Sequence, residues 1–269
     1  MILVTGASGQ LGSRIVTQLH ALGADVEGGS RSPGEHGRAM DFDVPETMDL
    51  TGVSTLVLVS AGYGEDDVVV RRHSTVLAAA RRDGVGHVVY TSLVGAGDHL
   101  GFALAHRATE QLLRATGMRW TILRNGLYAE LVGALLAWDG ADLISPFGTG
   151  AVAAPTREDL ALAAARVAIA PSHHDFRVHE LTGPPFTIAD IAGVLSVPVR
   201  ELPLGRYRQR LLDTPELLPF QPPMLATIAS TIRHGMLAGH HPDLADLLGR
   251  EPGSGLEAAV ASAASTRPA

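Results

Sequence analysis

Ile2-Leu3-Val4-Thr5-Gly6-Ala7-Ser8-Gly9-Gln10-Leu11-Gly12 is an apolar run closed by three glycines at three-residue spacing, and the amphipathic stretch Ser13-Arg14-Ile15-Val16-Thr17-Gln18-Leu19 follows at once. The order is strand, glycine turn, helix. Gly6 permits a tight exit from the strand, Gly9 lets the backbone approach a pyrophosphate, and Gly12 lets the helix pack closely on the sheet. The unpaired N–H groups at the start of that helix then face the phosphates. A glycine turn in this context predicts a dinucleotide site, with Ser8, Gln10 and Leu11 adding amides or side chains. The bland alternative is a turn that merely packs.

Working outward, 25–30 reads as the second strand, ending at Arg31-Ser32-Pro33, where an adenosine ribose lies in a doubly wound sheet. An acidic residue there would suit NAD. The Ser30-Arg31 pair instead offers a hydroxyl and a cation suited to a 2′-phosphate, so the reading favours NADPH over NADH. Residues 38–43 fit a short third strand, in which Asp41 and Phe42 complete the candidate cofactor set. The apolar run 55–60 is typical of a strand buried on both faces, and Val59, Ser60 and Ala61 at its end would line the ribose and the nicotinamide edge.

A helix over 68–82, a strand over 87–92, a helix over 103–116 and a strand over 120–124 continue the alternation, which means a parallel sheet with right-handed crossovers. Beyond Asn125 the rhythm changes: 131–138 is a short apolar helix and 144–150 a loop. A helix over 157–170, a strand near 178–182 returning to the main sheet and a helix over 187–196 capped by Thr187 follow. Prolines break the helices of 206–241, and 253–269 reads as flexible. The expected architecture is a Rossmann-type doubly wound parallel sheet over 1–130 with a smaller C-terminal α/β substrate lobe over 131–269.

Composition narrows the chemistry. The 269 residues suffice for a sizeable core, and the net charge of −7 argues against a broad grip on nucleic acid. The chain has no cysteine, which excludes disulfides, thiolate catalysis and cysteine-bound metal. All 21 basic residues are arginine, so no lysine serves as a catalytic ammonium. No apolar run reaches the length of a membrane span and no cleavable leader is evident, so a cytoplasmic location and no membrane partner are expected. The pairs His173-His174 and His240-His241 point different ways in proline-bordered loops, and no metal site is expected. A homodimer is left open.

Four stretches carry a resemblance: Thr5 to Gly12, Gly86 to Leu93, Leu104-Ala105-His106-Arg107-Ala108-Thr109-Glu110, and Leu123-Arg124-Asn125-Gly126-Leu127-Tyr128. From residue 1 to about residue 250 the chain resembles the NmrA-like branch of the atypical short-chain dehydrogenases/reductases, in particular its NAD(P)H:quinone oxidoreductase type-two members. The Tyr-x-x-x-Lys dyad of the wider superfamily is replaced by Phe102-Ala103-Leu104-Ala105-His106. Ordinary alcohol dehydrogenation, which makes a strongly basic alkoxide, is therefore disfavoured. A quinone acceptor yields a delocalised phenolate-like anion that needs no tuned acid, and the quinone-reducing relatives also carry histidine at this place. The relatives tend to have Gly-Trp-Tyr and a second asparagine where this chain has Gly126-Leu127-Tyr128 and Leu131, which implies a larger acceptor pocket.

The resemblance implies an NADPH-dependent reductase acting on a quinone or a related aromatic or polyketide enone, with direct hydride transfer and no flavin. It leaves open a non-catalytic NAD(P)-binding sensor and an aromatic polyketide tailoring or coupling protein. His106 is a candidate donor to a ribose or a developing oxyanion, unless it simply pairs with Glu110 one turn on. Ser92, at the carboxyl end of its strand, would anchor the substrate oxygen or satisfy local backbone. Asn125, the one asparagine, would orient the acceptor or the carboxamide, unless Asn125-Gly126 is only a turn. Tyr128 and Tyr63 would cover the nicotinamide face, donate a proton, or merely pack.

Overall fold

The computed structural model describes residues 1–33, 37–61 and 64–268. Side-chain parity along the strands explains why helices cover both faces of the sheet. Ile2, Val4, Val57, Val89 and Leu123 fall in one buried cluster, whereas Leu3, Leu56, Leu58, Val88, Tyr90 and Ile122 fall in another. Alternate residues of one strand point to opposite faces, so a sheet whose central strands bury apolar residues at both parities must be covered twice.

These strands are β1 (Ile2–Thr5), β2 (Val26–Ser30), β3 (Arg38–Ala39), β4 (Thr55–Val59), β5 (His87–Leu93), β6 (Arg119–Asn125) and, later in the chain, β9 (Arg177–Leu181). They form a seven-stranded sheet of order β3-β2-β1-β4-β5-β6-β9, and every pair is parallel. Helices α1 (Gln10–Ala21) and α5 (Arg157–Ile169) cover the first face; α2 (Asp66–Arg82) and α3 (Ala103–Ala115) cover the second. The doubly wound expectation holds. Strand β3 is two residues long rather than six, because Asp41 turns the chain by accepting the Asp43 N–H on its carboxylate at 3.0 Å.

The third buried cluster is built by α4 (Ala129–Ala134), the hairpin β7 (Ala137–Asp139) and β8 (Asp142–Ser145), α6 (Ile188–Leu195), α7 (Leu204–Leu212), α8 (Gln221–Arg233) and α10 (Gly255–Ser265), joined by Leu93 of β5 and Ala103 of α3, with the exposed strand β10 (Val199–Glu201) at its edge. Strand β10 pairs parallel with β8. Thr187 caps α6 in a complete capping box with Asp190, as expected.

The strand expected near 178–182 does return to the parallel sheet, as β9, and α5 and α9 (Asp243–Leu248) pack on that sheet as well. Small side chains on α5, with Ala161, Ala163, Ala164, Ala165 and Ala168 all buried, let it lie close to the strands. The tail expected to be flexible is instead α10, capped by Ser254, with Ala259 and Ala263 fully buried. It fits because Gly133 of α4 has no Cβ; one added there would stand 2.1 Å from the Ala259 carbonyl oxygen. Among the described residues no helix is long and apolar enough to cross a membrane.

Candidate active site

The glycine turn takes the shape that its spacing predicts. Gly6 has φ +61°, in the left-handed region. Gly9 is the N-cap of α1 with no side chain bonded to the first-turn amides, and that first turn has no acidic residue. An added Cβ would stand 2.2 Å from the Gly6 carbonyl oxygen at Gly12 and 3.1 Å from it at Gly9. The cradle is therefore bare backbone with free donors, which suits a diphosphate. Ser8 and Gln10 are exposed beside it; Leu11 is core, so only its amide can take part.

Gly6 lies against Val59, and Val59 opens a cavity of about 470 Å³ at the carboxyl ends of β4, β5 and β6. Its walls include Val59, Ser60, Ser92, His106, Asn125 and Tyr128, which the sequence had singled out. Phe102, Leu127, Leu131, Phe220 and Met224 give the cavity an apolar side that the sequence reading had noted only at Leu127 and Leu131. Arg31 is exposed at the end of β2, while Asp41 and half-buried Phe42 follow β3; none of the three lines this cavity. Tyr63 lies outside the described residues.

His106 does not pair with Glu110. Its Nδ1 lies 2.9 Å from the hydroxyl of Tyr90 on β5, and its ring meets Phe102 edge-on at 6.2 Å. Burial, with the charge of Arg107 beside it, pushes the imidazole down to about 4, so it is neutral at physiological pH. Burial also raises the Tyr90 phenol, which stays protonated. Behind them His73, fully buried on α2, accepts the Ala61 N–H on Nε2 at 2.9 Å and meets Thr109 Oγ1 through Nδ1 at 2.8 Å. The sequence reading missed both Tyr90 and His73. The Ala61 amide is thus spent on His73, and the Ser60 amide is donated to Thr91 Oγ1 at 3.1 Å.

Burial takes His73 down to about 3. An unfolded chain binds a proton below about 6.5 that this folded imidazole refuses, so stability falls as pH drops below that value and continues to fall until the folded value is reached. His73 alone is expected to remove roughly 2 kcal/mol between pH 8 and pH 5, and His106 acts with the same sign. Urea unfolding at the two pH values measures it. An unfolding free energy independent of pH over that range would contradict the assignment.

Ser92 donates its hydroxyl proton to Glu110 at 2.7 Å. Glu110 is buried, yet bonds from Arg124 and Ser92 and the charge of Arg107 more than offset its desolvation and lower its pKa. Arg124 bridges onward to Glu180 at 3.0 Å. Tyr128 lies under the Arg157 guanidinium at 4.5 Å, and burial raises its phenol. Arg157 and the Asn125 side chain beside it act in the opposite sense. Among the described residues Asn125 Oδ1 has no partner, although the residue is only 5% exposed.

A glycine cradle, a cleft at the carboxyl edge of a parallel sheet and neutral polar groups around an apolar wall define an NAD(P)H-dependent oxidoreductase. The NAD(P)H-binding family matches residues 6–168. Quinone oxidoreductase 2 of Escherichia coli (strain K12) is 35% identical over 213 residues, covering 73% of each chain. The NmrA-like family domain-containing oxidoreductase flvB of Aspergillus flavus is 31% identical over 214 residues, covering 72% of this chain and 70% of that one. Among solved structures, the E. coli NADPH-dependent quinone oxidoreductase complexed with NADPH superposes with a TM-score of 0.84 at 29% identity, over 96% of this chain and 98% of that one. A Citrobacter triphenylmethane reductase complexed with NADP(H) gives 0.83 at 27% identity, over 97% and 99%. The chain belongs to the NAD(P)H-binding family, with quinone oxidoreductase 2 and an NmrA-like oxidoreductase among its relatives.

Proposed function

We propose that the protein is an NADPH-dependent reductase of a quinone or a related aromatic or polyketide enone. The observation that carries this reading is the cavity itself, which begins at Val59 beside the glycine cradle and ends on Phe102 and His106, where the superfamily dyad would stand. Gly6, Gly9 and Gly12, with the amides of Ser8, Gln10 and Leu11, would hold the diphosphate; Val59 and Ser60 would flank the ribose, and Arg31 would read the 2′-phosphate. When bound, the cofactor supplies a hydride to the acceptor.

The chain's own residues bind and orient that acceptor. Because His106 and Tyr128 are both neutral at pH 7, neither is a strong acid; they stabilise developing oxyanion charge by hydrogen bonding, and the final proton comes from water. The pH–rate profile should accordingly show no inflection near 6.5 from His106.

NADPH oxidation followed with a panel of quinones tests the reading. Tight cofactor binding with no turnover on any acceptor would favour a sensor and sink the reductase. For the nucleotide preference, Arg31→Ala is expected to weaken NADPH at least about tenfold more than NADH, as loss of a charge-assisted phosphate contact should. Equal losses for the two nucleotides would overturn that role.

A further inference from the structure

We propose that Tyr90, buried behind the cavity wall, is a positioning residue: its phenol proton, given to His106 Nδ1, fixes the imidazole as the Nε2–H tautomer, so that His106 offers the cavity a hydrogen-bond donor and no acceptor. The inference deepens the reductase reading, on which its kinetic consequence rests, and adds a residue outside the cavity to the groups that act on the acceptor.

One end of the ring is set from behind. Tyr90 is fully buried on β5, does not line the cavity, and bonds His106 Nδ1 at 2.9 Å. Two hydroxyls, those of Ser60 and Thr109, also face the phenol oxygen. Thr109 is already engaged in both senses: His73 accepts the Ala61 N–H on Nε2, so its ring proton sits on Nδ1 and goes to Thr109 Oγ1 at 2.8 Å, while Thr109 donates to the Ala105 carbonyl at 2.8 Å. Ser60 has a proton of its own to give. An imidazole lone pair is a far stronger base than a hydroxyl oxygen, so the phenol proton goes to Nδ1. The reverse arrangement would spend it on the weaker acceptor.

The other end of the ring is open. His106 Nε2 makes no hydrogen bond among the described residues, yet it is not one of their buried unpartnered side-chain atoms, which are Asn125 Oδ1 and Asp175 Oδ1. His106 lines the cavity, and Nε2 is the ring nitrogen that is left to face it. The ring is neutral and its Nδ1 is occupied by the phenol proton, so its single N–H stands on Nε2.

The consequence falls on the developing oxyanion. A neutral imidazole protonated on Nδ1 would turn a lone pair toward the carbonyl oxygen and oppose the charge that hydride addition puts there. Tyr90 removes that state. The proton it donates also polarises the ring, which makes Nε2–H a stronger donor.

Histidine-selective nitrogen NMR on the full chain tests the assignment, because protonated and bare ring nitrogens resonate far apart. The signals of His106 are those lost in His106→Leu. At neutral pH the wild type is expected to show a bare Nδ1 and a protonated Nε2. Tyr90→Phe keeps the aromatic ring and removes only the donor, so the Nδ1 signal should move. In the same variant kcat for NADPH oxidation by 2-methyl-1,4-naphthoquinone should fall about tenfold, with KM and NADPH affinity within about twofold of wild type. In a His106→Leu background, Tyr90→Phe should change kcat by less than about twofold, since Tyr90 acts through His106.

A wild-type His106 protonated on Nδ1 would overturn the proposal whatever the kinetics show. So would a Tyr90→Phe protein, folded by its thermal melt, with an unmoved Nδ1 signal or an unchanged kcat, and so would a further loss on top of His106→Leu. Should Tyr90→Phe not fold, the wild-type spectrum decides. Absence of turnover on every quinone sinks the reductase reading, and the ring-nitrogen spectra then decide this inference by themselves.

Discussion

Gly12→Ala is expected to raise the Kd for NADPH at least about a hundredfold and to destabilise the fold by roughly 3 kcal/mol. The new methyl would sit 2.2 Å from the Gly6 carbonyl oxygen, 2.7 Å from the Gly6 carbonyl carbon and 3.1 Å from the Thr5 carbonyl oxygen. All three are backbone atoms, so no side chain can swing away. Relief requires α1 to move off the β1–α1 turn, and the free amides at the start of α1 move with it. Overpacking and loss of the anion cradle are thus one event. Calorimetric titration with NADPH and a thermal melt check both halves. A Gly12→Ala protein with native affinity and native melting would show that the cradle does not depend on this approach.

The same contact explains why this part of the site was legible in the sequence. Glycine is required where the chain must be left-handed, as at Gly6, or where backbone meets backbone, as at Gly12, and both demands are local. The parallel sheet was legible for a related reason: β4 and β5 are apolar at both parities, which only a strand covered on two faces tolerates. Strands β7, β8 and β10 are three or four residues long, too short to show a period, and they escaped notice. Helix α10 escaped because an alanine- and serine-rich segment carries little amphipathic signal; its place is decided by the missing side chain of Gly133, more than a hundred residues away in sequence.

The partner of His106 was illegible for a different reason. On a helix, Glu110 is the neighbour that i,i+4 spacing offers, and Tyr90 on another element is not on offer at all. Yet parity contained the answer. Tyr90 and Ser92 share the face of β5 that turns toward α3, so the phenol meets His106 and the serine hydroxyl meets Glu110. Glu110 is drawn away from His106 by two guanidinium groups and a hydroxyl, all stronger partners for a carboxylate than a neutral imidazole.

That competition makes Glu110→Gln the second large effect, expected to cost about 3 to 5 kcal/mol and to lower Tm by about 10 °C. Glu110 is 3% exposed and accepts from Ser92 at 2.7 Å, Arg107 at 2.9 Å and both arms of Arg124 at 2.9 and 2.7 Å. Glutamine is nearly isosteric, so packing is preserved while the charge is lost, and its amide N–H groups then face guanidinium N–H groups. Glu180 still neutralises part of Arg124, at 3.0 Å, but among the described residues Arg107 keeps only exposed Asp98 at 2.7 Å and two backbone carbonyls. If the loss comes from uncompensated charge, adding Arg124→Met should cost far less than it does in the wild type, giving a coupling energy of about 1 to 3 kcal/mol in a double-mutant cycle. Additive effects would mean that the ion pair contributes nothing beyond packing.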